Sequence, residues 1–343
     1  MSLITPASPN PAFGATRDGP RLIGTDEHDF ILVTYDDLPF LDSVEGLGGD
    51  DRIALYDYRG RPLEFFGGEG FDSLTIVPDT SMELVVTAIV LDNGGILWDG
   101  LAITTYDIES VRVAKKKVGF VGSDQDDRFF AEGWHSTHLK GGEGNDTLEG
   151  TGRYSRCYGG NGDDHLTVTT RGRVDGGDGM DTFSLNGFHN PHVITLHNGN
   201  GWARNMQSDW RGMDKRLINI ENLEGGSSHD IIRGDAGGNV LRGAGDNDWI
   251  EGRRGNDTLE GGSGADNFFF GKSDGTDTVL DLERGDHVRF AEGVVEPTLS
   301  AAEVLRHYGR WTEAGYLLDL GQTEILFPDL PSIRLLEQAL VIL

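Results

Sequence analysis

Nine-residue periodicity constrains this chain more than any other feature. Over 225–270 five consecutive units read GGSSHDIIR, GDAGGNVLR, GAGDNDWIE, GRRGNDTLE and GGSGADNFF. Gly225, Gly234, Gly243, Gly252 and Gly261 open them. Asp230, Asn239, Asp248, Asp257 and Asp266 hold the sixth place, and Ile232, Leu241, Ile250, Leu259 and Phe268 the eighth. With 51 glycines in 343 residues, four further glycines in register by chance has odds of roughly 0.0005. Looser copies occur at 122–130, 141–149, 159–167 and 176–184, and again at 24–32, 46–54 and 67–75. Between them, degenerate units keep Leu139, Cys157 and Val174 in the apolar place but put Thr137, Ser155 and Gly172 in the acidic one. Asp42–Val44 and Leu63–Phe65 read as partner units on longer turns.

Each unit has a physical logic. Places one to six carry Gly, Asp and Asn, which accept tight or left-handed turns. Places seven to nine set one apolar side chain between two outward ones, a short strand of period two. Turn, strand, turn, strand builds a flattened coil with two units per lap. Sixth-place acids then recur every 18 residues on one edge, and eighth-place side chains stack as a thin core. The expected fold is all-β: parallel β-roll (β-solenoid) blocks with strand insertions and a small C-terminal cap. Disorder is the competing reading, because 57 Asp+Glu stand against 29 Lys+Arg, a formal net of -28, with only 37% hydrophobic residues. Six Trp, 16 Phe and regularly placed aliphatic residues argue against it.

Acids stacked at about strand spacing repel, so the pattern calls for a cation between laps. Calcium takes 6–8 oxygens flexibly, from carboxylates and backbone carbonyls. Magnesium demands a stricter octahedron and keeps more water. The units resemble RTX (hemolysin-type calcium-binding) repeats, which form a parallel β-roll, over roughly half of the chain. That resemblance implies calcium ligation by the sixth-place residues Asp29, Asp51, Asp72, Asp127, Asp146, Asp164, Asp181, Asp230, Asn239, Asp248, Asp257 and Asp266, with Asp277 closing one more lap. It also implies turn carbonyls, those of Gly141, Gly159, Gly176, Gly225, Gly234, Gly243, Gly252 and Gly261. Pairing acids lap by lap gives about eight calcium ions, the last block binding tightest. These would offset about +16 of the -28. The turns could instead be metal-free Asx turns.

The expected organisation is an N-terminal arm (1–20), a first module (21–118) with an insertion at 77–118, and a second (119–222) with an insertion at 185–222. The most regular roll (223–286) and a cap (287–343) follow. The two insertions resemble each other, each an alternating strand, an Asn/Gly turn, and an Ile-Glu strand leading back to the repeat. In the cap, Ser300-Ala-Ala-Glu303 fits a capping box opening a short helix, and 316–327 reads as a hairpin. The end is similar to C-termini exported by type I secretion. Residues 1–20 lack a basic start and apolar core, so no classical signal peptide is expected.

No H-E-x-x-H, G-x-S-x-G or Walker motif is present, so no catalytic residue is expected. An enzyme reading survives only as a polysaccharide-modifying accessory. One cysteine excludes an internal disulfide framework. The acidic charge disfavours nucleic acid, and no apolar run is long enough to span a membrane. The function expected is a structural or adhesive protein, extracellular or on the cell surface, that folds on binding calcium, with self-assembly among its expected partnerships. The alternative is a glycan-recognition module or fibre component, with Trp98, Trp202 and Trp210 stacking on cell-surface or matrix polysaccharide. His135/His138 and His189/His192 are read as loop histidines rather than zinc ligands.

Overall fold

The computed structural model describes residues 2–4, 16–18, 21–33, 41–58, 63–70, 72–78, 89–91, 103–106, 110–122, 124–169, 171–206 and 215–342. Trp98, Trp210 and most of the arm and of the first insertion lie outside them, as do the side chains of Lys115–Lys117 and His135. Two compact units divide the chain, Met1–Gly172 with Gly177–Gly179, and Arg173–Gly176 with Met180–Leu343. The middle block, expected as one module, therefore falls in both.

Each unit is a parallel β-solenoid. Strands are shortest, three or four residues, across Asn222–Phe270, where the chain turns within each nine-residue unit. In the first unit, one face stacks Leu22 on Val44 and Val44 on Phe65. The other runs Ile31, Ile53 and Leu74, then Val111, Phe129, Leu148 and Leu166. Two long strands, Ser110–Val121 and Arg128–Glu143, pair in parallel along both faces. Between the faces the Phe120 and Phe129 rings stack at 4.7 Å. Leu139 stacks on Phe120 and Cys157 on Leu139, on the face opposite Phe129 and fully buried, so the degenerate units keep their core role without the acid.

In the second unit, Phe183, Leu223, Leu241, Leu259 and Val279 form one apolar column. Ile194, Ile232, Ile250, Phe268, Val288 and Leu340 form the other. All are buried. The 185–222 insertion is an antiparallel meander: His192–His197, Asn200–Asn205, then Lys215–Ile218. Its first turn places Asn198 at φ 52° and Gly199 at φ 68°, the paired left-handed residues of a type I′ hairpin.

The cap differs from expectation in extent. Strand His287–Phe290 still stacks on Asn267–Phe270, and Thr323–Phe327 stacks on Gly275–Val279. The repeat motif therefore stops before the coil does. The capping box at Ser300 opens helix Ala301–Tyr308 as expected. A second helix, Ile333–Ala339, was not expected; Ser332 caps it and Leu336 and Ala339 are its buried residues. Its amphipathic run is too short to carry a periodic signal.

Candidate metal sites

Every sixth-place acid named from the sequence is buried, with at most 4% of its surface exposed. They form a ladder. The backbone N–H of one sixth-place residue donates to Oδ1 of the sixth-place residue one lap on. Asp29 donates to Asp51 (2.7 Å) and Asp51 to Asp72 (2.7 Å). Asp127 donates to Asp146 and Asp146 to Asp164, both at 2.8 Å. On one edge of the second unit, Asp230 donates to Asp248 and Asp248 to Asp266, each at 2.7 Å. On the other, Asn239 donates to Asp257 (2.8 Å) and Asp257 to Asp277 (3.0 Å). Lap lengths of 18 to 22 residues give the same bond, so the irregular first block builds the same ladder as the regular last one.

Oδ1 is thus used by the fold, and Oδ2 remains. In Asp51, Asp146, Asp248, Asp257, Asp266 and Asp277 that atom is buried and accepts no hydrogen bond. Buried polar atoms rarely go unmatched, and a buried carboxylate without a partner is costly. Burial, opposed by the ladder N–H and reinforced by neighbouring acids, pushes the carboxyl of Asp248 up to about 9. The same causes put Asp146 and Asp277 at about 8, and burial lifts Asp257 to about 7 and Asp266 and Asp164 to about 6. These turns are built for a charge that the chain alone does not neutralise.

Oxygen lines them further. A β-carbon on Gly243 would collide with Asp248 Oδ2 and with the carbonyl oxygen of Gly261 in the next lap. One on Gly141 would meet Asp146 Oδ2 and the Gly159 carbonyl. First-place glycines therefore leave room for a carboxylate and a carbonyl to converge. At the second place, Leu47 (φ 87°), Ala244 (φ 76°) and Arg253 (φ 73°) are left-handed although they carry β-carbons. That conformation costs about 1–2 kcal/mol for such residues. It reverses the local peptide, so no second-place N–H donates to Oδ2 in these turns. Among the described residues no three His, Cys, Asp or Glu side chains converge. An ion here would be held by one carboxylate per turn plus backbone carbonyls, a hard all-oxygen set that fits calcium.

Sequence reasoning missed two sets of residues. Asp286 extends one ladder by accepting from Asp266 N–H (2.9 Å), and Glu221 Oε2 accepts from Asp181 N–H (3.0 Å). A second ladder lies outside the first, at the fifth place. Asn145 Oδ1 accepts from Asp163 N–H, and Asn247 Oδ1 from Ala265 N–H, both at 2.7 Å. His28 Nδ1 accepts from Asp50 N–H in the same way, at 2.7 Å. The signal was present as Asn, Asp or His before most sixth-place acids.

Of the histidines near the insertion, His189 lies in a loop, its Nδ1 meeting Ser227 Oγ, whereas His192 opens strand His192–His197 and its Nδ1 donates to Asn190 O, both at 2.7 Å. Burial, aided by Lys215, lowers His192 to about 4, so it stays neutral.

Parallel solenoids with oxygen-lined, carboxylate-laddered turns define a repeat protein whose turns are suited to hard cations. Residues 140–168, 219–250 and 242–279 match the family described as RTX calcium-binding nonapeptide repeat (4 copies). Within those segments the chain carries RTX-type calcium-binding repeats. No curated protein matches it. Among solved structures it is similar to the extracellular lipase LipA from Serratia marcescens at 15% identity and a TM-score of 0.25, covering 66% of this chain and 40% of that one. No helix among the described residues is long and apolar enough to cross a membrane.

Proposed function

We propose that this is a secreted or surface-exposed protein with a structural or adhesive role, whose chain folds as it takes up calcium. One observation carries the reading: a row of buried carboxylates whose second oxygens have no donor. Without a cation, those charges oppose folding; with calcium they hold the laps together. Eight second-place residues, Leu47, Gly68, Gly142, Gly160, Gly177, Ala244, Arg253 and Gly262, take positive φ in turns that carry a sixth-place Asp. One ion for each such turn gives about eight. Sites of this kind fill at the millimolar calcium found outside the cytosol, which supports export, and the acidic apo-chain suits passage through a secretion channel before it rigidifies. The role is non-catalytic. Circular dichroism tests it: β-structure in millimolar calcium should be largely lost in chelator. A spectrum unchanged by chelation refutes the reading.

Glycan recognition is the second reading, and Trp202 supports it. Its side chain is partly exposed on strand Asn200–Asn205, with the Arg204 guanidinium 5.2 Å from the ring centroid. Loss of polysaccharide binding in Trp202→Ala with the fold intact would favour it over the structural role.

A further inference from the structure

Not all the turns of the regular block are alike. In the turn 225–230, Gly226 is not left-handed and its N–H donates to Asp230 Oδ2 (2.8 Å). Asp230 Oδ1 accepts from His192 N–H (2.6 Å), which takes the place of the missing earlier lap. Both carboxylate oxygens are therefore satisfied by backbone donors. In the turn 234–239, Asp235 N–H donates to Asn239 Oδ1 (2.8 Å), and Asn239 Nδ2 donates to the Glu221 carbonyl (2.7 Å). The sixth place is neutral and again self-bonded. A cation is already present beside this turn. Arg253 Nη1 donates to the carbonyl oxygens of Gly234 (2.9 Å) and Leu196 (3.1 Å), and Nη2 reaches Thr195 Oγ1 (3.4 Å). The guanidinium is held from behind by Glu251 at 3.7 Å. Arg253 keeps this reach from a strained left-handed backbone.

We propose that the turns 225–230 and 234–239 bind no calcium, that Arg253 serves as a tethered cation at the second, and that ion binding in this block begins at Asp248 and Asp257. This rests on the calcium reading above. The chain's departures from the repeat then acquire a purpose. Asn239 removes a charge and Arg253 supplies one. The lap next to the insertion thus holds together at any calcium level. A planar guanidinium with several fixed donors suits two carbonyls at once, which a lysine would serve less well.

Bound ions counted by native mass spectrometry test this, with circular dichroism in calcium confirming that each variant folds. Asp230→Asn should leave the count of the parent unchanged, whereas Asp248→Asn should lower it by at least one. Asn239→Asp combined with Arg253→Gly should raise it by one, because the pair restores a carboxylate and frees the carbonyl. A lower count in Asp230→Asn, or no gain in the folded double variant, overturns the proposal. If Asp230→Asn does not fold, the double variant decides alone. A parent chain that binds no calcium would sink the calcium reading itself, a separate outcome.

Discussion

Asp248→Asn should change the sign of its effect with calcium. Asp248 is fully buried, its Oδ1 accepts from Asp230 N–H, and its Oδ2 has no hydrogen-bond partner. Burial, with the neighbouring acids, pushes its carboxyl up to about 9 in the fold from an ordinary value of 3.8. A folded-state value above the unfolded one means that stability is lost as pH rises between the two. At about pH 7.5 the metal-free fold must take up a proton that the unfolded chain does not hold. At 1.36 kcal/mol per pH unit, that penalty is about 5 kcal/mol. Asparagine is neutral, keeps Oδ1 for the ladder, and removes the penalty. Its Nδ2 enters a crowded turn, and leaving it unmatched costs about 1–3 kcal/mol. The net expectation in chelator is a variant roughly 2–4 kcal/mol more stable than the parent. In millimolar calcium the order reverses, because one ligand is gone. Urea unfolding followed by circular dichroism in both conditions measures this. A variant equally destabilised with and without calcium would refute the reasoning and leave Asp248 as a ladder residue only.

Two further outcomes follow from the same geometry. In chelator, β-structure should increase as pH falls from about 9 towards 5, since Asp248, Asp146, Asp277 and Asp257 take up protons on folding; calcium affinity should fall over the same window, read by titration at each pH. Leu259→Ala removes a fully buried side chain stacked between Leu241 and Val279, so calcium-loaded protein should lose about 2–5 kcal/mol in urea unfolding.

Much of this was legible in the residues. Gly at place one, acid at place six and an apolar residue at place eight specify turn, ladder and core together. Ile232, Ile250 and Phe268 stack where that register put them. Other features were not legible, for physical reasons. The carboxylates were expected to face one another across an ion, but a repeat pattern does not show which way a side chain turns. The ladder N–H draws each one inward and commits Oδ1. The second helix, Ile333–Ala339, is set by packing rather than by pattern.

Sequence alone determined the period, and with it the parallel coil, the thin apolar columns and the type of ion, because these depend on which residue types recur and how often. Tertiary structure decided which turns have room for that ion. Asp230 and Asp248 are identical in type and place, yet Gly226 N–H satisfies one and nothing satisfies the second oxygen of the other. The difference is the direction of a single peptide group. It is set by the φ of the second-place residue and by the turn at Leu185 and Phe188 packed beside Gly226, neither of which is written in the repeat.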